Sequence, residues 1–246
     1  MKTHLLLFAF VLLQALPAEA QDSTTNPTAD EIVTRMTAHD LARQSSVEGY
    51  SGMRRYILAN QKYHKRAEML VQVQGDKDGT KHLDVVSEDG WKAAHKHVLH
   101  KMLESEMEVS RPEMRARARL ISENYDFAFV GTELVADRRA YVLEIRPKRN
   151  EHYLFEGRIW VDAEDYALVR AEGKPAKKPS FWTKSIHFVQ VYQKCGPVWF
   201  PLSTQSVTEA RLVGTTDVSI EYFDYAPKIP NSSGNSVVSA KVMPTP

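Results

Sequence analysis

The hydrophobic and polar positions change period several times along the chain, and each change marks an element. Thr28 followed by Glu31 has the spacing of a capping box, and the helix it opens carries Ile32, Met36 and Leu41 on one side and ends near Arg43. From Gly49 the period drops to two. Tyr50–Leu58 reads as a strand, and Ala67, Met69, Val71 and Val73 alternate with Glu68, Gln72 and Gln74. The Gly75-Asp76-Lys77-Asp78-Gly79 turn then leads into His82–Ser87, completing a hairpin.

Residues 91–107 return to helical spacing, with Trp91, Ala94, Val98 and Met102 in register and Leu99 and Leu103 widening the stripe. Pro112 stops that helix and suits the first turn of another, over roughly 112–122. Beyond it the chain alternates again: Tyr125, Phe127 and Phe129; Tyr141, Leu143 and Ile145; Tyr153, Phe155, Ile159 and Val161; Ile186, Phe188 and Tyr192; Val218, Ile220 and Tyr222. Charged residues such as Glu144, Arg146, Glu156 and Arg158 fill the alternate positions, the pattern of an antiparallel sheet with one wet and one apolar face. A single domain is expected over 28–225, with a flexible lead at 21–27, a helical insertion at about 91–122 and a disordered tail at 226–246. The apolar face has two readings: a core filled by the chain's own helices, or the wall of a partly covered, lipid-sized cavity.

Composition narrows the function classes. Residues 1–20 have the form of a secretory signal: Lys2, the apolar run Leu5–Leu16, Pro17, and the small-x-small site Ala18-Glu19-Ala20. That run is shorter than the roughly 20 apolar residues of a spanning helix, so a periplasmic or secreted, soluble mature chain is expected. Lys and Arg total 32 against 31 Asp and Glu, which gives no electrostatic reason to expect nucleic acid. The single cysteine, Cys195, excludes an internal disulfide and a cysteine-based zinc site, and it reads as a half-buried apolar residue. No metal and no cofactor are expected. His95, His97 and His100 read as a solvated helical face, and Asp162, Glu164 and Asp165 as a hairpin turn. No nucleophile-elbow, phosphate-loop or dinucleotide motif occurs, and no enzymatic activity is expected.

The order of elements, and above all the run Gly157-Arg158-Ile159-Trp160-Val161-Asp162-Ala163-Glu164-Asp165-Tyr166-Ala167-Leu168-Val169-Arg170-Ala171-Glu172, resembles the LolA/LolB-like periplasmic lipoprotein-carrier family and the broader outer-membrane lipoprotein-sorting proteins. The resemblance implies an α+β fold, an antiparallel half-barrel with helices covering its concave face. It also implies a carrier for the acyl chains of lipoproteins or other lipids, sorting them toward the outer membrane. The alternative on the same fold is an envelope-sensing or protein-interaction module. Met69, Val71, Phe127, Phe129, Tyr153, Phe155, Ile159, Ile186, Phe188, Val218 and Ile220 would line the cavity, under a lid carrying Trp91, Val98 and Met102. One of Arg54 and Arg55 must point toward the apolar face, where it would bond to lid carbonyls. Lys177, Lys178, Phe181 and Trp182 pair cations with aromatics in one loop, a surface suited to a membrane or a partner protein. Expected partners are acyl chains or lipid and an inner- or outer-membrane protein, with the chain itself a monomer.

Overall fold

A computed structural model describes residues 26–178 and 181–230. The signal segment, most of the lead, Pro179 and Ser180, and the tail beyond 230 therefore lie outside the described residues.

Helix α1 (Ala29–Ser45) starts where the capping box places it: the Thr28 hydroxyl accepts from the Glu31 N–H at 3.3 Å, and the Glu31 carboxylate accepts from the Thr28 N–H at 2.8 Å. These bonds satisfy donors that a helix start otherwise leaves unpaired. Three strands follow, β1 (Gly49–Asn60), β2 (Lys65–Asp76) and β3 (Lys81–Gly90). The insertion then runs through α2 (Lys92–Ala94), a π-helical turn (His95–Leu99), α3 (His100–Ser110) and α4 (Pro112–Ala118). The remaining strands are β4 (Tyr125–Val135), β5 (Arg138–Pro147), β6 (Phe155–Asp162), β7 (Leu168–Pro175), β8 (Thr183–Cys195), β9 (Val198–Ala210) and β10 (Gly214–Lys228).

All ten strands form one antiparallel sheet in the order β3-β2-β1-β10-β9-β8-β7-β6-β5-β4. The two edges, β3 and β4, are joined only by the helical insertion, so the sheet is open rather than a closed barrel. This is the α+β half-barrel that the resemblance implied. β10 runs on to Lys228, so Ala226–Lys228 belong to the sheet rather than to the expected tail. β9 escaped the periodicity reading. Its Ser203, Thr204, Gln205 and Ser206 keep no apolar alternation, and Pro201 sits inside it, tolerated beside the register shift at Val191/Tyr192.

The helices cover the concave face in two places, and each makes its own core. Under α1, Ile32, Val33 and Met36 pack on β4–β7 residues including Tyr125, Leu143, Ile145 and Ile159. Under the insertion, Ala94, Leu99 and Leu103 pack on Met69, Val71, Val73, Val218 and Ile220. The π turn decides which insertion residues face inward. Its extra residue per turn rotates the stripe, so Leu99 is fully buried while Val98 is 37% exposed. A smaller cluster of Ala140, Val142, Trp160 and Val169 packs on the opposite face of β5–β7.

Candidate functional site

Between the two helical covers the concave face is open, and two chambers lie there, of ≈ 410 Å³ and ≈ 560 Å³. They share Asp40, Arg43 and Gln44 of α1 and Tyr192 and Trp199 of β8 and β9, so they form one branched space beneath the C-terminal half of α1. The first branch runs to α4, where Arg115 and Arg119 stand beside Leu120 and Leu168. Leu41, predicted on the buried stripe of α1, is 48% exposed and borders this branch. Arg43 fixes the helix over the space by donating to the carbonyls of Asp165 at 2.9 Å and Tyr166 at 3.3 Å, in the β6–β7 turn. Burial raises the Asp40 carboxyl above its ordinary value, against the opposing pull of Arg43, Arg119 and Arg115.

The β6–β7 turn is itself built around a charge. Asp162, 1% exposed, accepts from Arg138 Nε at 2.6 Å and Nη2 at 2.8 Å, and from the backbone N–H groups of Glu164 and Asp165. The acidic trio is a turn device, as its spacing predicted.

The second branch ends on an ionic network. Inward positions of β1 fall at Gly52, Arg54, Tyr56 and Leu58, which puts Arg54 on the apolar face at 2% exposure while Arg55 points outward. Arg54 Nη1 lies 2.6 Å from Glu106 Oε2 of α3, and Lys81 Nζ of β3 lies 2.8 Å from Glu106 Oε1. Arg54 also donates to the hydroxyls of Tyr225 at 2.9 Å and Tyr56 at 3.3 Å, and its guanidinium lies 4.9 Å from the centre of the Tyr222 ring. Gly52 makes room for this, since a Cβ there would meet the Tyr225 ring at 2.7 Å. One arginine does reach the helical cover, as the sequence required, but its partner is a carboxylate and not lid carbonyls. Burial alone would raise the Glu106 carboxyl, yet Lys81 and Arg54 hold it down to about 2. Burial pushes the hydroxyls of Tyr192, Tyr222 and Tyr225 up, so all three are neutral donors and acceptors facing the space.

The eleven residues predicted to line a cavity divide between the two cores. Met69, Val71, Val218 and Ile220 are buried beneath the insertion. Ile159 is buried beneath α1, with Phe127, Phe129, Tyr153, Phe155 and Phe188 packed around it, and Ile186 is half-buried on β8. None of the eleven borders the two chambers. Of the three residues predicted for the lid, Trp91 and Met102 pack against the insertion core, while Val98 is 37% exposed. Lys177, Lys178, Phe181 and Trp182 are all exposed.

Sequence reading missed the residues that do face the open space, chiefly Asp40, Arg43, Glu106, Tyr192 and Trp199. Glu106 carried a signal: it lies three residues beyond Leu103 and seven beyond Leu99, a carboxylate on an apolar stripe. His95 also departs from expectation. The π turn places it five residues before His100, so both turn toward Glu88, with Nδ1 of His95 at 3.6 Å and Nε2 of His100 at 2.6 Å. His95 is buried and donates to the Asp89 carbonyl, while His97 is exposed. Among the described residues no group of His, Cys, Asp and Glu is arranged to hold a metal ion.

Residues 92–174, the insertion and β4–β7, match the family model of the MucB/RseB N-terminal domain. That match covers about a third of the chain, and the fold is the open antiparallel half-barrel described above. Solved structures similar to it include a DUF1329 family protein from Desulfovibrio piger, with 13% identity, TM-score 0.42, and coverage of 84% of this chain and 95% of that one. A LolA superfamily protein from Nitrosomonas europaea has 14% identity and TM-score 0.37, covering 83% and 94%. An outer membrane lipoprotein-sorting protein domain from Vibrio parahaemolyticus has 13% identity and TM-score 0.41, covering 84% and 95%. At scores below 0.5 these likenesses bear on neither ligand nor partner. No curated protein matches the chain in sequence. No helix among the described residues is long and apolar enough to cross a membrane.

Proposed function

We propose that this protein is an envelope binding module that holds an acyl chain, of a lipid or an acylated protein, in the branched space beneath α1. The observation that carries the reading is the space itself. Its two branches, ≈ 410 Å³ and ≈ 560 Å³, are in the range of small-molecule pockets, and they mix apolar walls with a few placed charges. Met36, Leu41, Leu120 and Leu168 offer apolar surface in the first branch, and Arg43, Arg115 and Arg119 offer cations to an anionic head. Each buried methylene contributes about 0.8 kcal/mol, so even ten carbons give on the order of 8 kcal/mol for holding the chain out of water. A longer chain would part α1 or the insertion from the sheet and reach the apolar residues beneath, among them Met69, Val71, Phe129 and Phe188. The charged groups of the second branch are engaged with one another, which suits binding rather than covalent chemistry.

The test is native mass spectrometry of the protein from its own host, with displacement of a fluorescent fatty acid. Copurified acyl lipid and micromolar uptake of the probe are expected, with uptake lost in Gln44→Trp, which fills the wall shared by both branches. A clean apo mass together with no probe uptake would overturn the reading.

A second reading, a sensing or protein-interaction module, is favoured by the family match over 92–174. MucB has been solved in complex with MucA. Capture of a periplasmic segment of a membrane protein with no acyl uptake is the result expected under that reading.

A further inference from the structure

At one end of the sheet three connections lie side by side: the β1–β2 turn (61–64), the β9–β10 turn (211–213) and the β7–β8 connection that ends in Phe181 and Trp182. Hydrogen bonds hold them together. Lys62 Nζ donates to the Leu212 carbonyl at 2.8 Å, Asn60 Nδ2 to the Val213 carbonyl at 2.9 Å, and the Arg211 N–H to the Trp182 carbonyl at 2.9 Å. The Arg211 guanidinium lies 4.9 Å from the centre of the Phe181 ring, and the Phe181 and Trp182 rings meet at 5.6 Å.

What this end presents is unlike an ordinary solvated surface. Phe181 is 76% exposed, Leu212 57%, Trp182 51%, Tyr63 44% and Val213 39%. Contiguous exposed apolar side chains of this size mark an interaction surface. Around them stand Lys62, Lys65, Lys177, Lys178, Lys184 and Arg211, all exposed, against Glu209 and the Asp217 carboxylate, which accepts from Gln61 Nε2 at 2.9 Å. On a chain whose total charge is +1, that is a strong local imbalance.

We propose that this end is a membrane-docking surface that seats on an anionic lipid bilayer. Protein–protein interfaces are depleted in lysine and bury their aromatics at a charge-poor centre. Here the aromatic and aliphatic tips alternate with lysines on protruding turns. Tryptophan, tyrosine and phenylalanine settle at headgroup depth, and lysine stems extend past them to reach phosphates. The β1–β2 and β9–β10 turns are joined in advance by the Asn60 and Lys62 bonds, and the Arg211 N–H ties Trp182 to them, so docking at these residues orders little chain. The surface is separate from the branched space beneath α1, and the two proposals stand or fall independently.

The test uses the full chain with vesicles of pure phosphatidylcholine and vesicles holding about a third phosphatidylglycerol, at low and high salt. Expected is sedimentation with the anionic vesicles only, weakened by salt, with a blue shift of tryptophan emission. One lysine near an anionic surface is worth about five-fold in affinity, so K177E/K178E should lose at least about 25-fold. F181S/W182S should lose at least about ten-fold and the blue shift, while Gln44→Trp should sediment like the wild type. Failure of the wild type to sediment with anionic vesicles at low salt overturns the proposal. So does sedimentation unchanged in both surface variants. A surface that instead joins two copies would show as a dimer dispersed by F181S/W182S without vesicle binding, and that result overturns it too.

Discussion

Replacing Glu106 by Gln removes the carboxylate that Arg54 and Lys81 share and leaves the geometry otherwise intact. Arg54 is 2% exposed, so its charge would lose its anionic partner while still buried. Removing one member of a buried pair costs roughly 3–5 kcal/mol. The titration of Glu106 gives a second measure. Its carboxyl falls from 4.5 to about 2 in the folded protein, and at roughly 1.4 kcal/mol per unit this is about 3 kcal/mol, an upper value because Glu106 is 29% exposed. A loss of about 3 kcal/mol at pH 7 is therefore expected, read by urea unfolding. Since the folded pKa lies below the unfolded one, this stabilisation is complete above about pH 5 and disappears as pH falls through 4.5 toward 2. The gap between wild type and Glu106→Gln should narrow over that window, falling to less than half by about pH 3 and to under about 1 kcal/mol near pH 2. The double variant R54M/E106L should recover most of the loss, because apolar replacement of a buried pair is often neutral or better. A gap below about 0.5 kcal/mol at pH 7, or one that stays constant from pH 7 to 3, would refute the reasoning.

Leu99→Ala should cost about 2–5 kcal/mol by the same unfolding assay, because Leu99 is fully buried at the centre of the insertion core; a loss under 1 kcal/mol would mean that the insertion contributes little to folding. Asp162→Ala should cost about 2–4 kcal/mol, since it strands two turn N–H groups and frees Arg138, which is 36% exposed and can return to water. Burial would raise the Asp162 carboxyl, but Arg138 and the turn N–H groups lower it overall, so its contribution is full above the ordinary carboxylate range and shrinks as pH falls through its lowered folded value; an Asp162→Ala penalty that does not shrink between pH 7 and pH 2 counts against this.

Local chemistry was legible. The capping box fixed the start of α1, Pro112 marked the break between α3 and α4, and the β6–β7 turn with its acidic trio read correctly as a hairpin. Alternation found most strands, because one wet face leaves a period of two in the sequence. It failed at β9, where residues 203–206 are polar on both sides of the strand. The π turn was equally invisible, since periodicity assumes 3.6 residues per turn, and an inserted residue moves Val98 outward and brings His95 in. The split of the concave face into two covers, with Met69 under one and Phe129 under the other, follows from strand order, which no local pattern carries.

The central polar network shows why the open space was hardest to read. Arg54, Lys81 and Glu106 lie on three elements and are 25 to 52 residues apart in sequence. Taken singly, each breaks an apolar pattern and argues against burial. Only when β1, β3 and α3 come together do the charges meet, and only then is burial affordable in free energy. Each is still traceable as an exception: Arg54 interrupts the inward phase of β1, and Glu106 interrupts the stripe of Leu99 and Leu103. Two charges of opposite sign, each on the apolar side of its own amphipathic element, mark a pair of faces that must pack on each other. That pairing explains why the second branch of the space ends in tyrosine hydroxyls and ions rather than in the predicted aliphatic wall.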